Sequence, residues 1–267
     1  MVRRLGGADV KLAPGPPRIC HWYSASGSTL ATPVWIHRSK ALLIMKKVKP
    51  AALPELGHFT SADFEHVYEP SDDTYLLIDA LASEKQVILQ RQPGLCVEIG
   101  SGSGAVITHL ATLLPGAHFI ASDINQKALK ATAATSTANG CSIAPVQADL
   151  LKAFRPGSVD ILVFNPPYVP TSDEELAEAE RTADVSAAWA GGERGRRVVD
   201  RLFPVLRDML APRGLFYLLG VAENDPEGIA ALLESQYGFT SRLVAERRAQ
   251  NERLFVMCFE RTAGASS

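Results

Sequence analysis

No hydrophobic run in this chain is long enough to form a membrane-spanning helix. The longest apolar stretches are interrupted by charges, glycine or proline well short of the roughly twenty residues such a helix needs, which excludes a helical membrane protein. Cysteine is sparse and scattered. Cys20, Cys96, Cys141 and Cys258 lie 76, 45 and 117 residues apart, so there is no CxxC pair, no zinc-ligand spacing and no disulfide framework. Reduced intracellular thiols are the expectation. The six histidines lack metal spacing too, since neither His58 with His66 nor His109 with His118 sits at i, i+4, and no metal site is expected. Acids are nearly missing from one stretch: up to Pro54, nine Lys or Arg stand against the single Asp9, leaving eighteen bases and twenty-eight acids for the rest.

What remains is an ordinary composition. With 267 residues, 46% hydrophobic and 21% charged, the chain reads as a soluble globular protein of one domain, or one domain and a tail. A net charge of −2 predicts no polyanion-binding surface for the whole. Residues 1–57 are set apart as a basic extension, spotted with Pro14-Gly15-Pro16-Pro17 and the serines from Ser24 to Ser28, and without sustained periodicity. Such acid-poor composition resembles an organelle transit peptide. A disordered basic tail has the same statistics, and Met45, opening Met45-Lys46-Lys47, is a third reading as a used start. The domain is expected over 58–262, with a flexible tail over 263–267.

From Asp63 onward strands alternate with helices, the order of a mostly parallel sheet covered on both faces. The pattern predicts a helix over Tyr75 to Ser83, a strand over Leu95 to Ile99, a helix over Ala105 to Leu114 and a strand over His118 to Ser122. A helix over Gln126 to Ala138 precedes strands at Ala144 to Ala148 and Asp160 to Phe164. The amphipathic helix Arg196 to Leu210, strand Leu215 to Val221, helix Pro226 to Ser235 and strands Ser241 to Ala245 and Arg253 to Phe259 follow. The last two strands have no helix between them, so one should be antiparallel in an α/β, Rossmann-like sheet of seven strands. In such a sheet the ligand lies beyond the carboxyl ends of the strands, beside strand one.

The chemistry-bearing residues fall at those ends. Strand one runs into Glu98-Ile99-Gly100-Ser101-Gly102-Ser103-Gly104, whose small residues let backbone approach a ligand at a helix N-terminus. Gly100-x-Gly102-x-x-Ala105 also satisfies the dinucleotide fingerprint. Asp123, twenty-one residues beyond Gly102, is placed to accept from both ribose hydroxyls. Asp149 can accept from an exocyclic adenine amine while Leu150 covers the ring. Three acids at three successive strand ends describe a nucleoside pocket better than three solvated loop carboxylates.

Strand four ends Asn165-Pro166-Pro167-Tyr168. Two prolines remove two donors and fix two φ angles, leaving a rigid acceptor edge. The Asn165 side-chain oxygen and the Pro166 carbonyl can hold the two N–H bonds of a planar NH2 group while Tyr168 packs on its flat face. That arrangement orients a weak nitrogen nucleophile.

With these residues the chain resembles the class I S-adenosylmethionine-dependent methyltransferases carrying an Asn-Pro-Pro-Tyr motif, and among them the HemK-like glutamine methyltransferases of translation release factors. Val67 to Thr74, Glu98 to Gly104, Asp123-Ile124-Asn125, Asn165 to Tyr168 and Ala188 to Arg196 look like the short eukaryotic and archaeal branch, over about Phe64 to Glu260. The resemblance implies that Glu98, Gly100 and Gly102 line the cofactor, Asp123 holds its ribose, Asp149 and Leu150 face the adenine, and Thr74 closes over it, with S-adenosylhomocysteine as product. Asn165 to Tyr168 would bind the glutamine of a Gly-Gly-Gln loop in the class 1 release factor. It also implies a heterodimer with a small zinc-binding activator subunit, the zinc belonging to the partner, in the cytoplasm or nucleus unless the basic extension is an organelle address.

Rival readings are an N6-adenine nucleic-acid methyltransferase, a protein lysine methyltransferase, a nicotinamide oxidoreductase and an idle scaffold. The acidic core lacks the phosphate-gripping surface the first needs. A lysine amine must be deprotonated, and no obvious base accompanies the motif. The oxidoreductase gives Asn165 to Tyr168 no role. Ser172 to Asp184, with six acids and one arginine, reads either as a solvated face or as a lid that orders over a basic substrate loop.

Overall fold

A computed structural model describes residues 50–182, 188–249 and 252–262. Seven strands form one sheet: β1 (Leu95–Ile99), β2 (His118–Asp123), β3 (Ala144–Gln147), β4 (Val159–Phe164), β5 (Leu210–Val221), β6 (Phe239–Ala249) and β7 (Glu252–Arg261). The spatial order is β3-β2-β1-β4-β5-β7-β6, and the first five run parallel. β7 is antiparallel to both β5 and β6, so it is the single reversed strand of a Rossmann-like mixed sheet. The order reverses between β1 and β4, where the chain crosses from one half of the sheet to the other and leaves a crevice.

Two apolar layers close the faces. One packs Leu76, Leu77, Ile107 and Leu110 of helices α1 (Asp72–Ser83) and α3 (Ala105–Leu113) on Ile161, Val163 and Val256. The other packs Phe203 and Leu206 of α6 (Arg197–Met209) and Ile229 and Leu233 of α7 (Pro226–Tyr237) on Phe216, Leu218 and Phe259. α4 (Gln126–Ala138) begins at Asn125, whose side chain accepts from the Lys127 N–H. The described helices are none of them long and apolar enough to cross a membrane.

Several boundaries differ from those the pattern predicts. α1 starts at Asp72 because the Thr74 hydroxyl accepts from the Ser71 N–H at 3.5 Å, winding the first turn ahead of the apolar stripe. α2 (Lys85–Arg91) is an addition, seven residues being too few for periodicity to register. β5 begins at Leu210, which pairs with Val159 before a bulge carries the strand through Pro212 and Gly214. β6 is twice the predicted length, because the charged run Glu246-Arg247-Arg248 continues a hairpin that β7 holds in register.

Residues 50–57, which composition assigns to the extension, are fastened to the core. The Ala51 N–H donates to Asp79 Oδ1 at 2.7 Å, Glu55 and Asn139 exchange two hydrogen bonds, and Leu56 packs on the apolar layer under α1. The rest of the extension and the tail over 263–267 lie outside the described residues.

Candidate active site

At the carboxyl ends of β1, β2, β3 and β4 lies a cavity of about 540 Å³, in the range of small-molecule sites. Thr74, Glu98, Gly100, Gly102, Asp123, Asp149, Leu150, Asn165, Pro167 and Tyr168 line it. Of the residues expected from sequence only Pro166 is not in the wall; it is buried between Asn165 and Pro167, which both line it.

One wall is built by the glycine loop. Gly102 has φ 52°, and a Cβ there would meet no atom within 4 Å, so its backbone faces open space in a conformation other residues rarely adopt. Its N–H donates to Asp123 Oδ2 at 3.1 Å, and the Asn125 N–H donates to Oδ1 at 2.8 Å, fixing the carboxylate at the rim of the loop. Burial raises the Asp123 pKa against the pull of these donors. Glu98 is fully buried, accepts from the Ile107 N–H at 3.0 Å, and is pushed well above the usual carboxylate range by burial, with Asp123 adding to the shift. Asp149 sits in the opposite situation. Its Oδ2 receives Lys152 Nζ and Arg201 Nη2, both at 2.6 Å, and these bonds, Lys152 foremost, hold its pKa down. It stays an ionised acceptor beside Leu150, a non-glycine residue at φ 53° whose carbonyl takes the Ser122 hydroxyl. Strain of that kind collects at functional sites.

The other wall turns on Asp73, a residue that sequence reasoning took for part of a helix start. Asp72 is exposed and Asp73 is 3% exposed. Asp73 Oδ2 accepts from Asn165 Nδ2 at 3.0 Å and from the Tyr168 hydroxyl at 3.3 Å, while Oδ1 accepts from the Thr74 N–H at 2.6 Å. A carboxylate only accepts, so Asn165 must turn its NH2 toward Asp73. Its Oδ1 is then left buried with no hydrogen-bond partner. A buried orphan acceptor is costly to keep, and this one stands ready for an N–H donor in the cavity. Burial and the Asp73 carboxylate push the Tyr68 and Tyr168 phenols upward, so both remain donors at neutral pH rather than bases.

His66, Leu176, Trp189, Val198 and Arg201 also line the cavity and were not among the site residues expected from sequence. Leu176 comes from α5 (Asp173–Thr182), the acidic segment of the sequence, and is 4% exposed among exposed acids. One apolar residue per helix turn within a charge run was the available signal. No cluster of His, Cys, Asp or Glu among the described residues could hold a metal ion.

Comparison with known proteins accords with this geometry. Residues 71–189 match the methyltransferase small domain. The chain is 41% identical to methyltransferase HEMK2 of Homo sapiens over 215 residues, 79% of this chain and 97% of that one. The chain belongs to this methyltransferase family. It is also 36% identical to the eRF1 methyltransferase catalytic subunit mtq2 of Schizosaccharomyces pombe, covering 76% of this chain and 93% of the relative. Among solved structures it is similar to Mtq2 in the E. cuniculi Mtq2–Trm112 complex responsible for methylation of the eRF1 translation termination factor, with a TM-score of 0.54, 30% identity, and coverage of 73% of this chain and 99% of that one. As a member of the HEMK2 and Mtq2 family this chain is a class I methyltransferase.

Proposed function

We propose that this methyltransferase uses S-adenosylmethionine to methylate the side-chain amide nitrogen of the glutamine in the Gly-Gly-Gln loop of a class 1 translation release factor. The observation that carries the reading is the orphan Oδ1 of Asn165, a residue of the cavity wall whose NH2 is taken by Asp73. The cofactor fits the residues present: the Gly102 backbone and Asp123 suit the ribose, ionised Asp149 with Leu150 suits the adenine, and buried Glu98 suits the charged methionine end. When bound, S-adenosylmethionine supplies an electrophilic methyl group on a sulfonium.

The chain's own residues orient the nucleophile. Asn165 Oδ1 accepts one N–H of the substrate amide, which fixes the plane of the NH2 and aims its face across the cavity. Tyr168, 8% exposed and anchored through its hydroxyl on Asp73, forms the flat surface against which that plane rests. A primary amide needs no prior deprotonation, which suits a site whose phenols are held protonated and whose nearest carboxylate is already engaged by two donors. Catalysis then comes from proximity and orientation. A lysine ammonium would first have to lose a proton, and that step is unsupported here.

The reading includes a small activator subunit as partner, of the kind named with Mtq2 in the related complex. The edge of β3, with no strand paired outside it among the described residues, supports a contact there. The compartment proposed is the cytoplasm or nucleus. Mass spectrometry of a release-factor Gly-Gly-Gln domain incubated with S-adenosylmethionine and this protein, with and without co-expressed activator, tests the whole reading. A gain of one methylene mass on that glutamine, dependent on activator, is the expected result. Cofactor binding with no gain on the glutamine sinks the substrate assignment, and full activity of the lone chain sinks the partner.

A further inference from the structure

The Asn165 to Tyr168 turn cannot secure itself, because Pro166 and Pro167 have no N–H to give. Its side chains are tied to Asp73. Its main chain is tied elsewhere, to Asn224, the last residue of a 3-10 turn that follows β5. Asn224 is 3% exposed. Its Nδ2 donates both hydrogens at 2.8 Å, one to the Tyr168 carbonyl and one to the Arg194 carbonyl, and its Oδ1 accepts from the Val221 N–H at 2.7 Å. Every polar position but one lone pair of this carboxamide is thus used, and its orientation is dictated by one donor and two acceptors around it. The space is cut to fit. At Gly195, φ 66°, a Cβ would lie 1.8 Å from the Tyr168 carbonyl oxygen and 2.6 Å from Asn224 Nδ2.

Arg194 and Gly195 belong to the segment that continues from Trp189, a residue of the cavity wall, and that segment pairs with the chain after Tyr168 through Val169 N–H to Trp189 O at 3.0 Å and Gly191 N–H to Val169 O at 2.8 Å. We infer that Asn224 is a positioning residue for methyl transfer: its carboxamide locks the Tyr168 main chain and the Trp189 to Gly195 segment to the end of β5, and so sets where Asn165 and Tyr168 meet the substrate amide. It touches neither substrate nor cofactor and acts through Tyr168. The inference rests on the substrate reading above.

The test is the full chain with its activator, carrying Asn224→Asp, which keeps the acceptor for Val221 and replaces both donated hydrogens by an oxygen facing two carbonyls. Cofactor affinity is measured by calorimetry, and kcat and KM on the release-factor domain are expressed per titrated cofactor site, so that misfolded protein does not count. Cofactor Kd should stay within about twofold while kcat per site falls about 10- to 100-fold, the scale of a small misplacement of a reacting group. Gly195→Ala, whose Cβ intrudes between the same carbonyl and Asn224, should give the same split. Unchanged kcat per site in both variants, or loss of cofactor binding in both, overturns the inference, the second outcome making Asn224 a folding residue only. Failure of the unaltered protein to methylate the domain would overturn the substrate reading instead, and is distinguished by that control.

Discussion

The two walls of the cavity are built by different means. The wall at the ends of β1, β2 and β3 is made of strand ends whose acids meet backbone N–H groups close in sequence, Asp123 taking that of Asn125 two residues on and that of Gly102 twenty-one residues back. The wall at the end of β4 is assembled from segments far apart in sequence, Asp73 reaching Asn165 and Tyr168 across 92 and 95 positions, with Asn224 behind it reaching Tyr168 across 56. Backbone donors offer a fixed place for a ligand and tolerate change in the side chains around them. A side-chain network fixes orientation, and loses it when one member changes. The first wall should therefore govern binding and the second turnover.

The largest separation is expected at the second wall. Asn165→Ala should leave cofactor binding intact and lower kcat by about 10²- to 10³-fold, as removal of a preorganised polar contact at a reacting centre does. Asp73→Asn should approach that loss, by about 10²-fold, without touching the cavity's acceptor: an amide in place of the carboxylate can turn its own NH2 to Asn165 and reverse it. Isothermal titration of cofactor beside steady-state kinetics reads both. Weakened cofactor binding in either variant, with kcat preserved, would erase the distinction between the walls.

At the first wall Asp123→Ala should do the opposite. Loss of a charged acceptor toward two hydroxyls weakens cofactor binding about 10- to 100-fold, and kcat at saturating cofactor should change little. This wall was also the legible one. Strand, glycine loop and helix follow one another within Leu95 to Leu113, and the acids stand at strand ends that hydrophobic runs mark out. β1, β2 and β4 were readable to within a residue for the same reason. The second wall was only half legible: two prolines after Asn165 announce a rigid edge, but that Asp73 rather than Asp72 faces inward depends on the angle at which α1 leaves Ser71, and Asn224 is one of many polar residues in loops.

A smaller effect sharpens the first wall. Glu98 is fully buried with its pKa raised chiefly by burial. An acid whose folded pKa lies above its unfolded one opposes folding in full above the folded value, less as pH falls from it, and not at all below the unfolded value. Glu98→Gln should therefore raise Tm, by roughly 2–4 °C for each kcal/mol recovered, and the gain should shrink as pH is lowered toward the ordinary carboxylate range. Cofactor binding should weaken in the same variant, since the charge that costs stability is the one that would meet the positive methionine end. A Tm that stays put at neutral pH would mean that the folded pKa of Glu98 does not lie above the unfolded one.

The smallest effect concerns the rim, where the two walls meet solvent. α5 carries Asp173, Glu174 and Glu175 on its first turn, capped by the exchange between Ser172 and Glu175, and drops Leu176 into the cavity. These three acids are exposed and none of them lines the cavity, but Leu176 joins their helix to its wall. Exposed charges of this kind steer and weakly hold a partner of opposite sign. Asp173→Asn with Glu174→Gln, which spares the cap, should raise KM for the release-factor domain about two- to fivefold, the scale of exposed charge pairs, with kcat and cofactor affinity unchanged and the difference shrinking at high salt. A KM that does not move would confine α5 to its contact through Leu176. A fall in kcat instead would show that the helix belongs to the turnover wall and that the acids act by holding Leu176 in place.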